Sequence, residues 1–452
     1  MSMCTTWQAA VALSLAAIAL PGWAAALPRL NVDMHEAKLE NGLRVILVED
    51  RTAPIITVAM MYDVGSANEQ EGRSGFAHLF EHLMFQGSEH VKAGEHMNLI
   101  ERYGGNANAT TNTDWTFYFE GVPANQLDLV LFLESDRLRS LNISEANLKR
   151  EIEVVKEERR MRVDNQPYRR GAFALEDLLY DSFAYGHEGV GSMADLDAAT
   201  LQDVQSFFDT YYRPSNAVLI LVGDFENAAA LAKVRNYFGP LPTQPVPAPA
   251  DRTEPSQSKD RRAVMHDQLA PLPRLDIAFK AVPGAHDDYF ALTVLSSVLQ
   301  EGRSSRLYEA LVKQQEIATD VRGTMDERRG VGALKTTAMP RDDSSIDAAE
   351  QGIYREIERL QREPVADWEM EKAKNQLAAQ YLSSLQRGVL RALVIGATVV
   401  DFGDVNRINT YLDRIAAVTK DDIQRVAKTH LREGNRTVLV TLPAAAAGEG
   451  AK

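Results

Sequence analysis

The amino-acid sequence predicts an α+β fold of two homologous α/β-roll units, each an antiparallel-rich sheet packed with helices, joined by a proline-rich linker. Three observations predict it. The chain has 452 residues, more than one ordinary core accommodates. Two halves of about 200 residues run through the same order of β-rich and helical stretches, as duplication of one unit would produce. Between them, residues 239–262 contain Pro240, Pro242, Pro245, Pro247, Pro249 and Pro255 among Ser, Gln and charged residues, the composition of a semi-rigid spacer. The expected organisation is therefore a leader over 1–26, a first unit over 27–238, the linker over 239–262, a second unit over 263–445 and a short tail over 446–452.

The leader reads as a secretory signal peptide. No residue from Ala9 to Ala26 is charged, and the apolar run AAVALSLAAIAL leads to Pro21-Gly22 and a cleavage-type cluster at Ala24–Ala26. An exported, periplasmic protein is expected. Residues 1–8 carry no Lys or Arg, so an uncleaved membrane anchor is the alternative. The only cysteine, Cys4, lies in this leader, which excludes disulfides, Cys-ligated metal and a Cys nucleophile from the mature chain. Apolar residues (45%) and charged residues (25%) are balanced as in a globular protein. A net charge of −14 argues against nucleic-acid binding, which needs a basic surface.

In the first unit, residues 43–48 and 55–62 are β-rich strands, the former after the Asn41-Gly42 turn. Residues 75–85, GFAHLFEHLMF, form a helix with an apolar stripe at Phe76, Leu79, Phe80, Leu83 and Met84. A helix over 93–103 stops at Gly104-Gly105, followed by strands over 106–112 and 115–120. Helices over 124–138, 144–163, 168–182 and 200–211, a strand over 217–222 and a helix over 226–237 complete the unit. The second unit repeats the plan with a strand over 275–280, a helix over 289–299, and a helix from the GRSSR segment through Val312. Strands over 319–324 and 332–338, helices to about residue 431 and a closing strand over 436–442 follow.

The chemistry is concentrated in the helix over 75–85. His78 and His82 are four residues apart, so both imidazoles leave one helix face a turn apart, and Glu81 borders that face. Two such imidazoles can hold a divalent ion beside a carboxylate able to take a proton from water. A third protein ligand is then needed, and the acid-rich helix over 144–163 offers two candidates. Glu151 and Glu158 stand seven residues apart on one face, so one could complete a metal site and the other support it.

The segments HLFEH (78–82), GGNANATTNTDWTFY (104–118) and EIEVVKEERRMRVDN (151–165), with the two-unit plan, resemble the M16 (pitrilysin) metallopeptidases. This inverted-zincin group includes mitochondrial processing peptidase and insulin-degrading enzyme, and the chain has the length of its half-size bacterial members. The family's third ligand lies 76 residues past the second histidine, which selects Glu158 here. The resemblance implies that His78, His82 and Glu158 hold one Zn2+ per chain, that Glu81 is the general base, and that Glu151 is an accessory catalytic carboxylate. It also implies an edge strand that pairs with extended peptide substrates, with Asn108, Ala109 and Thr110 as contacts.

One departure stands out. Active members carry an Arg and a Tyr seven residues apart in the second unit, and Val312 and Thr319 occupy those positions here. A neighbouring M16-like subunit supplying that pair, in a heterodimer, is the leading expectation. A homodimer that does without the pair, or uses Arg303 or Arg306, is the other. The family also contains members that lost their metal, so a non-catalytic peptide-binding or scaffold subunit is the alternative to an exported zinc peptidase.

Overall fold

The computed structural model describes residues 27–444 and contains two sheets. The signal-peptide expectation over 1–26, with Cys4, and the tail over 446–452 lie outside the described residues. Among the described residues no helix is long and apolar enough to cross a membrane.

The first sheet is built from β1 (His35–Lys38), β2 (Arg44–Glu49), β3 (Ile55–Tyr62), β4 (Asn106–Thr111), β5 (Thr116–Pro123) and β6 (Ala217–Gly223). Their order across the sheet is β1-β2-β6-β3-β5-β4, with β2 and β6 parallel and the other neighbours antiparallel. The second sheet contains β7 (Arg261–Asp267), β8 (Arg274–Lys280), β9 (Ala318–Asp326), β10 (Ala333–Pro340) and β11 (Arg436–Pro443), in the order β7-β11-β8-β10-β9. Here β7 and β11 are the parallel pair. The last five strands of the first sheet and the five of the second thus follow one connection pattern, as duplication requires. Two strands, the short β1 and the seven-residue β7, are additions to the expected set.

Along β2, β3 and β6 the chain is apolar at nearly every position, and successive side chains enter different cores. Val45, Leu47, Val58, Met60, Leu219 and Leu221 face one layer of helices. Ile46, Val48, Ala59, Met61, Ile220 and Val222 face the opposite layer. The first layer includes α1 (Phe76–Leu83), α2 (Glu95–Arg102), α3 (Leu127–Ser140) and α4 (Glu145–Arg159), all from the first unit. The opposite layer is the helix Gly388–Phe402, from the second unit, which places Ala392, Ile395 and Val399 against the sheet. The exchange is mutual. α5 (Arg169–Leu179), from the first unit, lies on β7, β8 and β11 and buries Leu175 and Leu179 against Ala278, Ala333 and Leu439. Each unit's sheet is therefore backed by a helix of the other.

The Pro-rich segment has no helix or strand between Phe238 and Arg261, yet it is docked. Arg252 Nε donates to Asp114 Oδ1 at 2.6 Å, Glu254 pairs with Lys280, and Gln257 Nε2 donates to the Arg436 carbonyl at 2.7 Å.

Candidate metal centre

The local sequence fixes where α1 begins. Gly75 has a φ of 86°, and a Cβ there would sit 2.6 Å from Gly191 Cα, so glycine is required. No side chain of the capping residue satisfies the first amides. The buried Glu69 carboxylate does so from the preceding loop, accepting from Gly75 N and Ala77 N at 2.8 Å each. Glu69 is held in turn by His187 Nε2 at 2.8 Å. Phe76, Ala77, Leu79, Phe80 and Leu83 are buried in the core, and this turns His78, Glu81 and His82 to the opposite, half-buried face.

α4 packs against α1 and extends into a π-helical turn over Arg160–Asp164. Its Ser144 caps the helix by accepting from Asn147 N. Val155 is buried between Glu151 and Glu158 on the face turned to α1. Glu158 Oε2 lies 3.1 Å from His82 Nε2 and 3.7 Å from His78 Nε2. Ligand atoms about 2.1 Å from a tetrahedral ion stand about 3.4 Å from one another, so these separations suit one small cation. Glu151 is nearly buried, and its Oε2 lies 3.6 Å from His82 Nδ1, the nitrogen turned away from Glu158. The structure thus brings His78, His82, Glu158 and Glu151 together, with Glu151 touching a histidine rather than the shared position.

The electrostatics of this group favour a positive charge. Burial, with His82 nearby, lowers His78 to about 4, so its ring is neutral and has a lone pair available at pH 7. Burial also opposes charge on His82, but Glu151 and Glu158 outweigh it and raise that ring to about 9. His82 holds Glu158 below the ordinary carboxylate range, and burial pushes Glu81 above it.

Glu81 is oriented by a residue that sequence reasoning missed. Thr111 Oγ1, at the end of β4, donates to Glu81 Oε2 at 2.6 Å. The register joining β4 to α1 in space leaves no local sequence signal. β4 itself is an edge strand, paired among the described residues only with β5. Asn108 and Thr110 are exposed and Ala109 is half-buried. The Ala109 amide donates to its neighbour's Asn108 Oδ1 at 2.9 Å, which places that N–H on the free edge.

A second His/Glu cluster, among His96 of α2, Glu120 of β5 and Glu134 of α3, is buried in the first unit. It already contains a cation: Arg137 pairs with Glu134, lies 3.5 Å from Glu120 and stacks over Tyr118. It is a charge-compensated core network. In the second unit, Val312 packs against the apolar core and the Thr319 hydroxyl donates to the Met339 carbonyl. Arg306 forms a two-pronged pair with Glu369 at 2.7 and 2.8 Å, so its guanidinium is committed within its own unit, whereas Arg303 is exposed.

Comparison with known proteins agrees with the two-unit plan. Residues 44–186 match the model described as insulinase (peptidase family M16), and residues 198–377 the model described as the peptidase M16 inactive domain. The zinc protease PqqE of Helicobacter pylori is 31% identical over 415 residues, covering 90% of this chain and 93% of that protein. The probable mitochondrial-processing peptidase subunit beta of Arabidopsis thaliana is 26% identical, covering 87% and 75%. The crystal structure of a protease from Helicobacter pylori superimposes with a TM-score of 0.86 at 30% identity, covering 92% of this chain and all of that one. Two adjoining M16 models and a relative at 31% identity over nine-tenths of the chain establish the family: the chain belongs to the M16 peptidases.

Proposed function

We propose that this chain is an exported zinc endopeptidase or oligopeptidase that cleaves extended or unfolded peptides, with one Zn2+ held by His78, His82 and Glu158. The observation that carries the reading is the convergence of these three ligand atoms, all within 4.8 Å of one another, beside a carboxylate that is not part of the set. Bound zinc would supply a Lewis acid that acidifies water and polarises a carbonyl. Glu151, at the Nδ1 side of His82, turns the ring so that Nε2 faces the ion. Glu81, kept less acidic by burial and oriented by Thr111, takes a proton from water and returns it to the leaving amine. The free edge of β4 binds the substrate by main-chain pairing, with Asn108, Ala109 and Thr110 as contacts and little demand on sequence.

Val312 and Thr319 supply neither a guanidinium nor a phenol. We therefore assign that part of the site to a second M16-like subunit in a heterodimer, rather than to a homodimer. The leader over 1–26 directs the chain to the periplasm. A non-catalytic scaffold would have no use for Glu81 beside an intact ligand set.

The test is metal analysis of the mature chain, with peptide cleavage by the chain alone and mixed with the product of the neighbouring gene. Zinc near one equivalent, and Glu81→Gln retaining zinc while losing cleavage, are expected. No zinc uptake, or Glu81→Gln cleaving at the wild-type rate, would refute the chemistry; full activity without a partner would refute the split site.

A further inference from the structure

A cavity of about 440 Å3 opens beside the candidate metal centre, between His78 and Glu158 on one side and α5 on the other. In a chain of net charge −14, three arginines line it: Arg162, Arg169 and Arg328. Their charges are not equivalent. Arg328 is buried, pairs with Glu176 and Asp326 at 2.9 Å each, and lies over the rings of Tyr180 and Tyr185. Glu176 and Asp326 also pair with Lys335, so two acids balance two bases and this floor is neutral. Arg162 reaches Glu158 Oε1 at 2.5 Å, an acid assigned above to the metal. Arg169 has no carboxylate within 4.0 Å among the described residues, and it is exposed to the cavity.

The chain holds Arg169 in place from both sides. Its Nε donates to the Arg162 main-chain carbonyl at 3.3 Å, which ties the Arg169 side chain to the end of the preceding helical turn. The preceding residue, Tyr168, has a left-handed φ of 64°, which a tyrosine adopts only when held there. The second unit does the holding: Tyr168 N donates to Asp267 Oδ2 at 2.6 Å, and its hydroxyl donates to the Leu272 carbonyl at 2.9 Å. Arg169 is the first residue of α5, whose opening amides no side chain caps, so the helix end adds partial positive charge there. Phe173 and Val163 give the same cavity an apolar wall.

We propose that this cavity is a substrate subsite for a carboxylate, held by Arg169 with Arg162 at the rim. The inference rests on the peptidase reading above and narrows its substrate class to peptides that present a carboxylate close to the scissile bond. The carboxylate belongs either to an Asp or Glu side chain or to the C-terminus of a short substrate. Basic residues at that position are disfavoured by the same two guanidinium groups.

The test is fluorescence anisotropy with the zinc-loaded mature chain carrying Glu81→Gln, in the subunit format in which the wild type cleaves peptides, so that binding is read without turnover. Labelled peptides of one sequence carry Glu, Gln or Lys, walked along the chain, each as free acid and as amide. At one position Glu is expected to bind roughly fivefold tighter than Gln, and Lys weaker than Gln, with the spread shrinking as salt is raised. Adding Arg169→Glu is expected to invert the order of Glu and Lys, and Arg169→Gln to level it. A gain that follows Glu in amidated peptides identifies a side chain; one that needs the free acid whatever the sequence identifies the C-terminus. Equal binding of the three peptides together with equal binding of free acid and amide, or a preference unchanged by Arg169→Glu, overturns the subsite alone. Failure of peptides of every charge to bind overturns the peptidase reading with it.

Discussion

Replacing Thr111 by valine removes one hydroxyl and almost nothing else, so it isolates the orientation of Glu81. The Thr111 hydroxyl donates to Glu81 Oε2 at 2.6 Å, a short bond to an acceptor that is charged when it acts as a base. Such bonds contribute about 1.5–3 kcal/mol net, and the half-buried setting of both residues argues for the lower end. At about 1.4 kcal/mol per tenfold, kcat should fall roughly tenfold. Valine preserves shape and strand preference, and β4 binds substrate through its main chain, so KM and zinc content should hold. Steady-state cleavage of an internally quenched peptide, in the subunit format in which the wild type is active, measures the split. Thr111→Ser restores the hydroxyl and should recover most of the lost rate. A Thr111→Val enzyme with full zinc and kcat within twofold of wild type would refute the argument that this bond orients the base.

Other predictions concern the metal, the helix start and pH. Glu158→Gln should abolish stoichiometric zinc uptake, whereas Glu151→Gln, which removes only the support of His82, should weaken zinc by about 10–100-fold in a competition titration. Gly75→Ala should cost about 2 kcal/mol or more in denaturant unfolding, since its φ of 86° and a 2.6 Å clash act together. Gly94→Ala, with φ of 75° and nothing within 4 Å of the new methyl, should cost about half as much. Asp401, on the helix Gly388–Phe402, is raised by burial to about 7 despite its pairing with Arg329. Its folded pKa exceeds its unfolded one, so the stability contributed by proton binding is complete below about pH 4 and is lost as pH rises to about 7. The loss is at most about 4 kcal/mol. The melting temperature of the wild type should therefore fall relative to Asp401→Asn across that window, and a pH-independent difference would contradict the assignment.

The α+β class and the repeated plan were legible because strands such as ILVE at 46–49 and AVLILVG at 217–223 announce burial on both faces. His78, Glu81 and His82 were legible because helical spacing is local. Glu158 was not legible from spacing alone: helix geometry left it level with Glu151, and only the family's 76-residue separation distinguished them. Residues that meet through tertiary register gave no sign at all. Thr111 reaches Glu81 across 30 positions, and Glu69 reaches His187 across 118. His96, on α2, meets Glu120, on β5, across 24 positions, so no local spacing links them. The linker's composition pointed to a spacer, but Arg252, Glu254 and Gln257 find acceptors or cations on both units. Likewise, nothing in the residues of α5 or of 388–402 says which sheet they cover.

That last ambiguity has a consequence for how the molecule is made and maintained. With α5 as the back wall of the second sheet and Gly388–Phe402 as the back wall of the first, neither unit closes its core until the other is present. Synthesis from the N-terminus must expose Ile46, Met61 and Ile220 until residue 399 emerges, so the histidine-bearing half waits, partly unclad, for most of the chain. Cutting the chain within residues 241–260 after folding should leave two fragments that stay together, whereas expressing either half alone should yield an aggregating protein. The half without the metal-site histidines is thus kept by interlock: it could lose every catalytic trace and still be indispensable, because the other half has nothing else to lean on.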